Sequence, residues 1–447
     1  MSFLDQAFAQ MGFWITWMLI PIIFEIVPEC LYFVKLTFES RRKNDLKKPA
    51  KLPIISIIVP VYNSEETLFK CLGSISDSSY PNKLMQVIVA NNQSTDNSFQ
   101  VFNKVQQSFS NLRLQWMNTD KGKAPALNSA IYNSSGKYII NLDSDGVLEK
   151  NALMRMVLGF ENNSDIDAMT GTILTEKAII QNNKKPLLRL LQNNEYFEYA
   201  QSFLSGRIIE SSANRLFTMS GAFSAFRKEV LLKTYMYNTQ TVGEDIDMTF
   251  QIRSKLKGRV ALCTDSFFYV DPIESLDQLY IQRQRWQRGE IEVSRSFMSD
   301  QLHLDKFFKN FMVRRLMIDH TFVFPRMIWM FGIFVLAYLG YSPIVLLLSV
   351  IFMYLLYVSD SFLNFINVRM FLKKFDEERS FYSRKWWIMF TMPLYNLICS
   401  FIRLIGIINS ITLPIKWKSK TFKEECADIK KVVRSDFKGM KDKKGNK

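Results

Sequence analysis

The stretch Lys137 to Lys150, KYIINLDSDGVLEK, constrains the fold more than any other. Its apolar run, Tyr138 to Leu142, ends on two aspartates separated by Ser144. Such a run fits a strand buried in a parallel sheet. Asp143 and Asp145 then stand at the strand's carboxyl end, where the ligand crevice of an open α/β sheet lies. Two carboxylates there can share a hard divalent ion, Mg²⁺ or Mn²⁺, and leave positions open for the oxygens of a diphosphate. Taken alone, Asp-Ser-Asp-Gly is also a surface turn, so the surroundings must decide.

The 447 residues leave room for a soluble domain of about 250 residues and further elements. Hydrophobic residues make up 48% of the chain and aromatic residues 14%, with 37 Phe, which points to a membrane. With long apolar segments present, the net charge of +15 indicates lipid headgroups or a phosphorylated substrate. There is no zinc-finger or RNP-like motif, so nucleic acid is not an expected partner. Five widely spaced cysteines without a CxxC read as reduced and structural, consistent with a cytoplasmic catalytic part. Two histidines in the whole chain argue against a His-based zinc site or a catalytic triad. Acid and base work falls to carboxylates.

Gly12 to Leu36 is apolar and long enough to span a bilayer, although Pro21, Glu25, Pro28 and Glu29 interrupt it. The basic run Glu39 to Lys51 then belongs on the cytoplasmic side. Lys51 to about Ser296 alternates short apolar runs with amphipathic stretches. Strands are expected over Ile54–Val61, Met85–Ala90, Leu112–Met117 and Tyr138–Leu142. Helices are expected over Glu65–Ile75, Asp96–Phe109 and Ala124–Tyr132. This alternation predicts a mostly parallel, Rossmann-like α/β sheet covered on both faces. The loops VYNSEE, NNQSTD and DKGKAPALN then gather beside Asp143 and Asp145.

Farther on, Ser220–Val230 reads as a strand entering a helix, Thr241–Phe250 as a loop entering another, and Gln278–Val293 as a basic, aromatic helix. The expected organisation is an anchor and basic segment (1–50), a cytoplasmic catalytic domain (51–296), an amphipathic interface helix (297–320), apolar transmembrane or interfacial helices (321–415) and a basic cytoplasmic tail (416–447). Phe322–Gly340 and Pro343–Phe362 read as a membrane hairpin. Trp386–Thr412, interrupted by Pro393, Asn396, Arg403 and Asn409, reads as interfacial or re-entrant, because a single crossing would put the lysine-rich tail outside.

In chain order the sequence carries Pro60-Val61-Tyr62-Asn63, Ser94-Thr95-Asp96, Lys123 to Asn128 (KAPALN), Asp143-Ser144-Asp145, Ser220-Gly221-Ala222, Gly243-Glu244-Asp245 and Gln282-Arg283-Gln284-Arg285-Trp286. The ordered set resembles the membrane-embedded family 2 glycosyltransferases, the inverting group that includes cellulose, hyaluronan and poly-N-acetylglucosamine synthases. The resemblance covers about Lys51 to Arg288. It implies a GT-A nucleotide-sugar-binding fold inserted between membrane helices, with a divalent cation on Asp145 and with Asp143 nearer the ribose and metal. It further implies that Pro60, Tyr62, Glu65, Asn92, Lys123 and Arg285 serve the donor, and that Ser220, Gly221, Gln282 and Trp286 serve the acceptor. Asp245, with Glu244 beside it, is implied as the general base.

The residue chemistry is compatible with those roles. A carboxylate can take the proton of an attacking hydroxyl, and Trp286 offers a flat surface to a sugar while Arg285 can pair with a diphosphate. Gln282, Arg285 and Trp286 share one helical face by their spacing. Each residue also has a plainer reading: Glu244, Asp245 and Asp247 suit any helix amino end, Lys123 any solvated helix start, and the arginines a lipid-facing helix, the role left for Arg283 and Arg288 off the shared face. Two departures stand out. Ser64 occupies the place of the family's usual glutamate, with Glu65 one position later, and Asn91-Asn92 replaces an aspartate pair that reads base and ribose in relatives. Amides still hydrogen-bond, but the case for a UDP-linked donor is weaker.

The implied function is processive extension of a polysaccharide at the cytoplasmic face of a bacterial plasma membrane by a multi-pass protein, with an export partner or homo-oligomer completing the path. The alternative is single transfer of a sugar to a polyprenyl phosphate or other lipid acceptor.

Overall fold

The computed structural model describes residues 22–41, 47–298 and 323–412, together with Thr421, Glu424 and Ala427. The start of the expected anchor, part of the basic run, nearly all of the 297–320 helix and most of the tail lie outside the described residues. Helix α1 (Val27–Glu39) precedes the catalytic region. There follow β1 (Ile55–Val61), α2 (Leu68–Ser76), β2 (Met85–Asn91), α3 (Ser98–Ser108), β3 (Arg113–Asn118), α4 (Lys123–Tyr132) and β4 (Tyr138–Leu142). Each of these seven was expected, and the boundaries differ by up to three residues.

β1 and β4 are wholly buried, which is why they read as continuous apolar runs. β1 pairs in parallel with β2 and β4, and β2 with β3. Pro60 falls beyond the last β1–β4 pair, Ile58 with Asn141, where the ladder has room for a residue without N–H.

The mostly parallel expectation holds only for this half. The full sheet runs β3-β2-β1-β4-β7-β6-β8-β5 and is mixed. Strand β7 (Phe223–Arg227) is antiparallel to both β4 and β6 (Ile166–Thr175), β8 (Arg259–Val270) is parallel to β6, and β5 (Gly146–Leu148) is antiparallel to β8. The reversal arises because the chain reaches β7 at the carboxyl end of β4, with Phe223 opposite Leu142. β4 lies in the middle of the sheet while β5, three residues later, lies at its edge. Asp143-Ser144-Asp145 therefore spans a crease where the sheet curls. A Cβ on Gly146 would stand 2.3 Å from the Phe268 ring, so only glycine lets the chain pass there.

A second core joins the catalytic region to the C-terminal helices α10 (Pro343–Phe371), α11 (Asp376–Arg384) and α12 (Met392–Thr412), while α9 (Val323–Tyr338) packs on α10 in a smaller cluster through Leu336 and Leu346. After α5 (Ala152–Asn162) comes α6 (Pro186–Ala200), whose Phe197 stacks on Tyr382 at 4.2 Å, and Phe365 stacks on the same ring at 5.1 Å. This explains why α10 runs past the expected end at Phe362: its last turns bury Phe365, Asn367 and Val368 against the catalytic region. Pro343–Lys374 and Met392–Asn409 are long and apolar enough to cross a membrane by length and composition. Trp386–Thr412 is a short 3₁₀ turn followed by one continuous helix, with Pro393 in the first turn, where proline is tolerated. The four described cysteines are free.

Buried Glu378 of α11 fastens the two parts together. It accepts from Tyr196 Oη at 2.8 Å and Tyr269 Oη at 3.1 Å, and pairs with Lys177 Nζ at 2.7 Å. Removing one partner of such a cluster leaves the others desolvated and unpaired. Glu378→Ala should therefore lower stability by about 3 kcal/mol, and Glu378→Gln by less, as read from thermal unfolding of the detergent-purified protein.

Candidate active site

Loops after β1, β2 and β3 each turn through a residue of positive φ: Asn63 (50°), Gln93 (56°) and Gly122 (125°). They are stitched together. Asn63 Oδ1 accepts from Thr95 N at 2.8 Å, Ser94 Oγ accepts from Asn63 N at 3.1 Å, and Gly122 N donates to Asn92 Oδ1. Asp96 accepts from the Glu65 and Ser98 amides, and Ser98 Oγ with those amides holds its carboxyl below its usual range despite some burial. Glu65 returns a carboxylate oxygen to Asn97 N at 2.9 Å. Glu65 and Asn92, expected at the donor, thus also lock the loops, while Tyr62 is exposed and Pro60 is buried in β1.

At the crease, Lys123 opens α4 and pairs with Asp143 at 2.6 Å. Burial works against its charge, but Asp143, Glu244 and Asp245 outweigh it and hold Lys123 above its ordinary value. One lysine is thus within electrostatic reach of both acidic motifs. Asp145 has no ion-pair partner among the described residues. Asp145 is exposed, yet the crowding of protein around it, and then Asp143, push it up to about 6. Ser144 turns inward, with its Oγ 2.8 Å from Ser64 Oγ, which gives Ser64 a role in holding the crease. Cys71 lies beneath, its Sγ 3.5 Å from Asp143 O, and burial followed by the two aspartates pushes the thiol up so that it stays protonated.

The two acidic motifs meet across Ser220-Gly221-Ala222. Asp143 N donates to Ala222 O at 3.1 Å, and Gly221 N donates to Asp245 Oδ2 at 3.2 Å. Ser220 is held from behind, its N–H on Thr170 Oγ1 at 2.9 Å. Asp245 lies in the first turn of α7 (Glu244–Phe250), where Ile246 N donates to its Oδ1 at 2.9 Å. Burial raises Glu244, with Lys123 and Arg285 opposing. Arg285 is exposed toward this group, on α8 (Leu276–Met298). Upstream, the 234–242 loop is anchored by reciprocal bonds between Asn128 and the Tyr237 backbone, both 2.9 Å. The structure thus brings Lys123, Asp143, Asp145, Gly221, Glu244, Asp245 and Arg285 together.

A profile of the family described as glycosyltransferase-like family 2 matches residues 53–289, more than half of the chain. The chain belongs to this family. Poly-beta-1,6-N-acetyl-D-glucosamine synthase of Staphylococcus epidermidis is 30% identical over 244 residues, 54% of this chain and 55% of that protein. A Bacillus subtilis protein named Probable glycosyltransferase YdaM is 25% identical over 302 residues, 67% of this chain and 68% of that one. The match thus spans about half the length of the first of these curated relatives. A solved mannosyltransferase from Pyrobaculum calidifontis, in complex with GDP-Man and Mn²⁺, shares the fold with a TM-score of 0.60 at 17% identity, over 87% of this chain and 97% of that chain.

Gln282 and Trp286 of this family 2 glycosyltransferase lie on a separate aromatic wall. Gln282 Nε2 donates to Tyr199 Oη at 3.3 Å, and the Trp286 ring leans on Tyr199 and Phe203 at 6.2 and 6.1 Å. Arg283 and Arg288 are corrected: neither is committed to lipid. Arg283 is 4% exposed and pairs with Glu198, and Arg288 pairs with Glu292 at 2.9 Å on its own helix. The sequence reading also missed how α8 holds the Gly243-Glu244-Asp245 loop. Glu292 Oε2 accepts from Thr241 Oγ1 at 3.1 Å and Val242 N at 3.3 Å. A Cβ on Gly289 would stand 2.9 Å from Gly243 Cα. A glycine inside a helix three residues after Trp286 is the signal that was available, since it costs about 1 kcal/mol without a packing reason.

That contact sets a test. Gly289→Ala must push α8 and the loop apart, backbone against backbone, and should cut sugar transfer by roughly 10²-fold, the cost of about 1 Å of misplacement. Gly406→Ala, whose Cβ would meet Gln287 at an ordinary 3.4 Å, should retain near wild-type rates in the same membranes.

Proposed function

We propose that the chain is an inverting glycosyltransferase that moves a sugar from a nucleoside diphosphate to the growing end of a polysaccharide, processively, at the cytoplasmic face of a bacterial membrane that its apolar helices cross. The observation that carries this reading is the meeting of the two acidic motifs across Ser220-Gly221-Ala222, because Asp245 is held one short turn from the donor end at Asp143. A sugar seated over Gly221 would expose its anomeric carbon to an acceptor hydroxyl beside Asp245. The hydroxyl oxygen bonds to that carbon as its proton passes to the Asp245 carboxylate, while the carbon–oxygen bond to the diphosphate breaks and the nucleoside diphosphate leaves. Lys123 and Arg285 are the cations suited to the diphosphate. The 30% identity to a poly-N-acetylglucosamine synthase favours an N-acetylglucosamine donor.

The donor set fits a divalent metal. Asp143 is balanced by Lys123, whereas Asp145, beside it in the chain, has no ion-pair partner among the described residues. No group of three or more His, Cys, Asp or Glu side chains is arranged to hold a metal among the described residues, so diphosphate oxygens would supply much of the coordination, as Mg²⁺ or Mn²⁺ allows. A cation held by Asp143 and Asp145 would neutralise charge on the leaving diphosphate.

Two measurements test the assignments. Membranes incubated with labelled UDP-N-acetylglucosamine should yield polymer. Lipid-linked monosaccharide would instead support single transfer, and no product from any nucleotide sugar would end the proposal. Asp245→Asn should keep affinity for UDP and Mn²⁺ yet lose about 10² to 10⁴ in transfer rate. A variant with near wild-type turnover would leave Asp245 a helix-start carboxylate.

Asp145 also sets a pH dependence. Its proton must leave before it can ligate, and that proton is held up to pH of about 6. Mn²⁺-dependent UDP binding should therefore be full above pH 7 and fall toward tenfold per unit below 6. Calorimetry from pH 5 to 8 reads this, and an unchanging affinity would remove Asp145 from the metal site.

A further inference from the structure

On a different face of α8 from Gly289, a largely buried polar cluster lies against the Trp286 ring. Arg283 Nη2 stands 2.5 Å from Glu198 Oε2, and Tyr395 Oη donates to the same oxygen at 2.6 Å. Arg283 Nη1 donates to Gln282 Oε1 at 2.8 Å. The Arg283 guanidinium lies 4.3 Å from the centre of the Trp286 ring and 5.8 Å from that of Tyr199. Glu195, 1% exposed, stands in the same cluster and accepts from Ile273 N at 2.9 Å. Glu198 comes from α6, Arg283 from α8 and Tyr395 from α12.

This arrangement is costly as a stabilising device. Arg283 is nearly sealed from solvent and Glu198 only about one-fifth exposed, and an ion pair taken this far from water is often no better than apolar residues of the same volume, so its presence points to geometry. The geometry it serves is that of Trp286. Trp286 is 38% exposed, and Tyr199 and Phe203 meet its ring at 54° and 86° and not face to face. A guanidinium over its face fixes the plane through cation–π attraction, but only while the guanidinium is itself held, and Glu198 with Tyr395 holds it.

We propose that Glu198 is a positioning residue for the acceptor platform, acting through Arg283 to fix the plane of the Trp286 ring on which a sugar stacks. This rests on the proposed function for the sugar, and on the cluster alone for the ring. A platform held in one plane loses less freedom on binding each incoming glycan end. Glu198 is therefore expected to affect acceptor binding and product length while leaving the donor end untouched.

The test uses the full chain in detergent or nanodiscs, labelled with 5-fluorotryptophan, with the Trp286 ¹⁹F resonance assigned by its loss in Trp286→Phe. Glu198→Gln should shift and broaden that resonance and leave the other tryptophans in place. It should raise the KM for a glycan acceptor by roughly tenfold, below the roughly 10²-fold of a full ångström of misplacement, with kcat and UDP–Mn²⁺ affinity little changed. Glu198→Asp should restore part of both effects. In a Trp286→Ala background Glu198→Gln should add nothing to the KM defect. Tyr395→Phe, which keeps the ion pair and loses one bond, should give a smaller shift and serves should Glu198→Gln fail to fold. An unmoved Trp286 resonance, or losses that add in the double variant, would overturn the proposal. A moved resonance in a protein that transfers no sugar would instead uphold the positioning role and count against the proposed function.

Discussion

The constraint on which this structure turns is the gathering of four carboxylates, Asp143, Asp145, Glu244 and Asp245, around one lysine at a crease in the sheet. Like charges brought together in a partly desolvated cleft oppose folding, and here the effect shows in Asp145 and Glu244, both raised chiefly by burial. Lys123 offsets part of the repulsion by pairing with Asp143 while acting on the other motif. The chain as a whole carries +15, so the acidity of the cleft is local and is kept there by the fold. Gly146 lets the chain bend directly after Asp145, and the Gly221 amide holds Asp245 beside the backbone to which Asp143 is bonded.

The parallel half of the sheet was legible because strands covered on both faces must be apolar throughout, and Ile55–Val61 and Tyr138–Leu142 are. Of the remainder only β7 was legible, within Ser220–Val230, which reads as a strand entering a helix and is one. β8 carries Thr264, Asp265 and Ser266 within its twelve residues, and β6 contains Gly171, where Phe223 packs so closely that a Cβ would stand 2.1 Å from the ring. α6 buries Gln192, Asn193, Asn194 and Glu195 in succession, and no reading by polarity assigns such a run to the interior. A mostly parallel sheet was the natural expectation from alternating elements, and the antiparallel entry of β7 depends on how the intervening helices return the chain.

At the site, residue type and order were enough to gather the acidic motifs and their lysine. What order could not supply was partnership. Arg283 looked free for lipid because its partner, Glu198, lies 85 residues away on a helix with no motif of its own. Glu65 and Asn92 were assigned to the donor by resemblance, and the hydrogen bonds they make to Asn97 and Gly122 show that the same side chains stabilise the loops.

The same reasoning accounts for the polar residues of α12. In an apolar helix, Arg403 and Asn409 look like defects that would keep it from crossing a bilayer. Yet Tyr395, Cys399, Ile402, Gly406 and Asn409 recur at three- and four-residue spacing and so share one stripe. Along it Arg403 Nε donates to Gln287 Oε1 at 2.8 Å, and Asn409 Nδ2 donates to Gln284 Oε1 at 3.1 Å. Both polar side chains are bonded to α8. α8 is thus gripped by α12 along one face, by Glu198 through Arg283 on another and by the Gly243 loop at Gly289, which leaves Arg285 and Trp286 as its exposed residues between Ile281 and Glu292. A helix fixed from three directions presents those two side chains with little freedom to move, and an apolar helix that hydropathy alone would assign to lipid is one of the three supports.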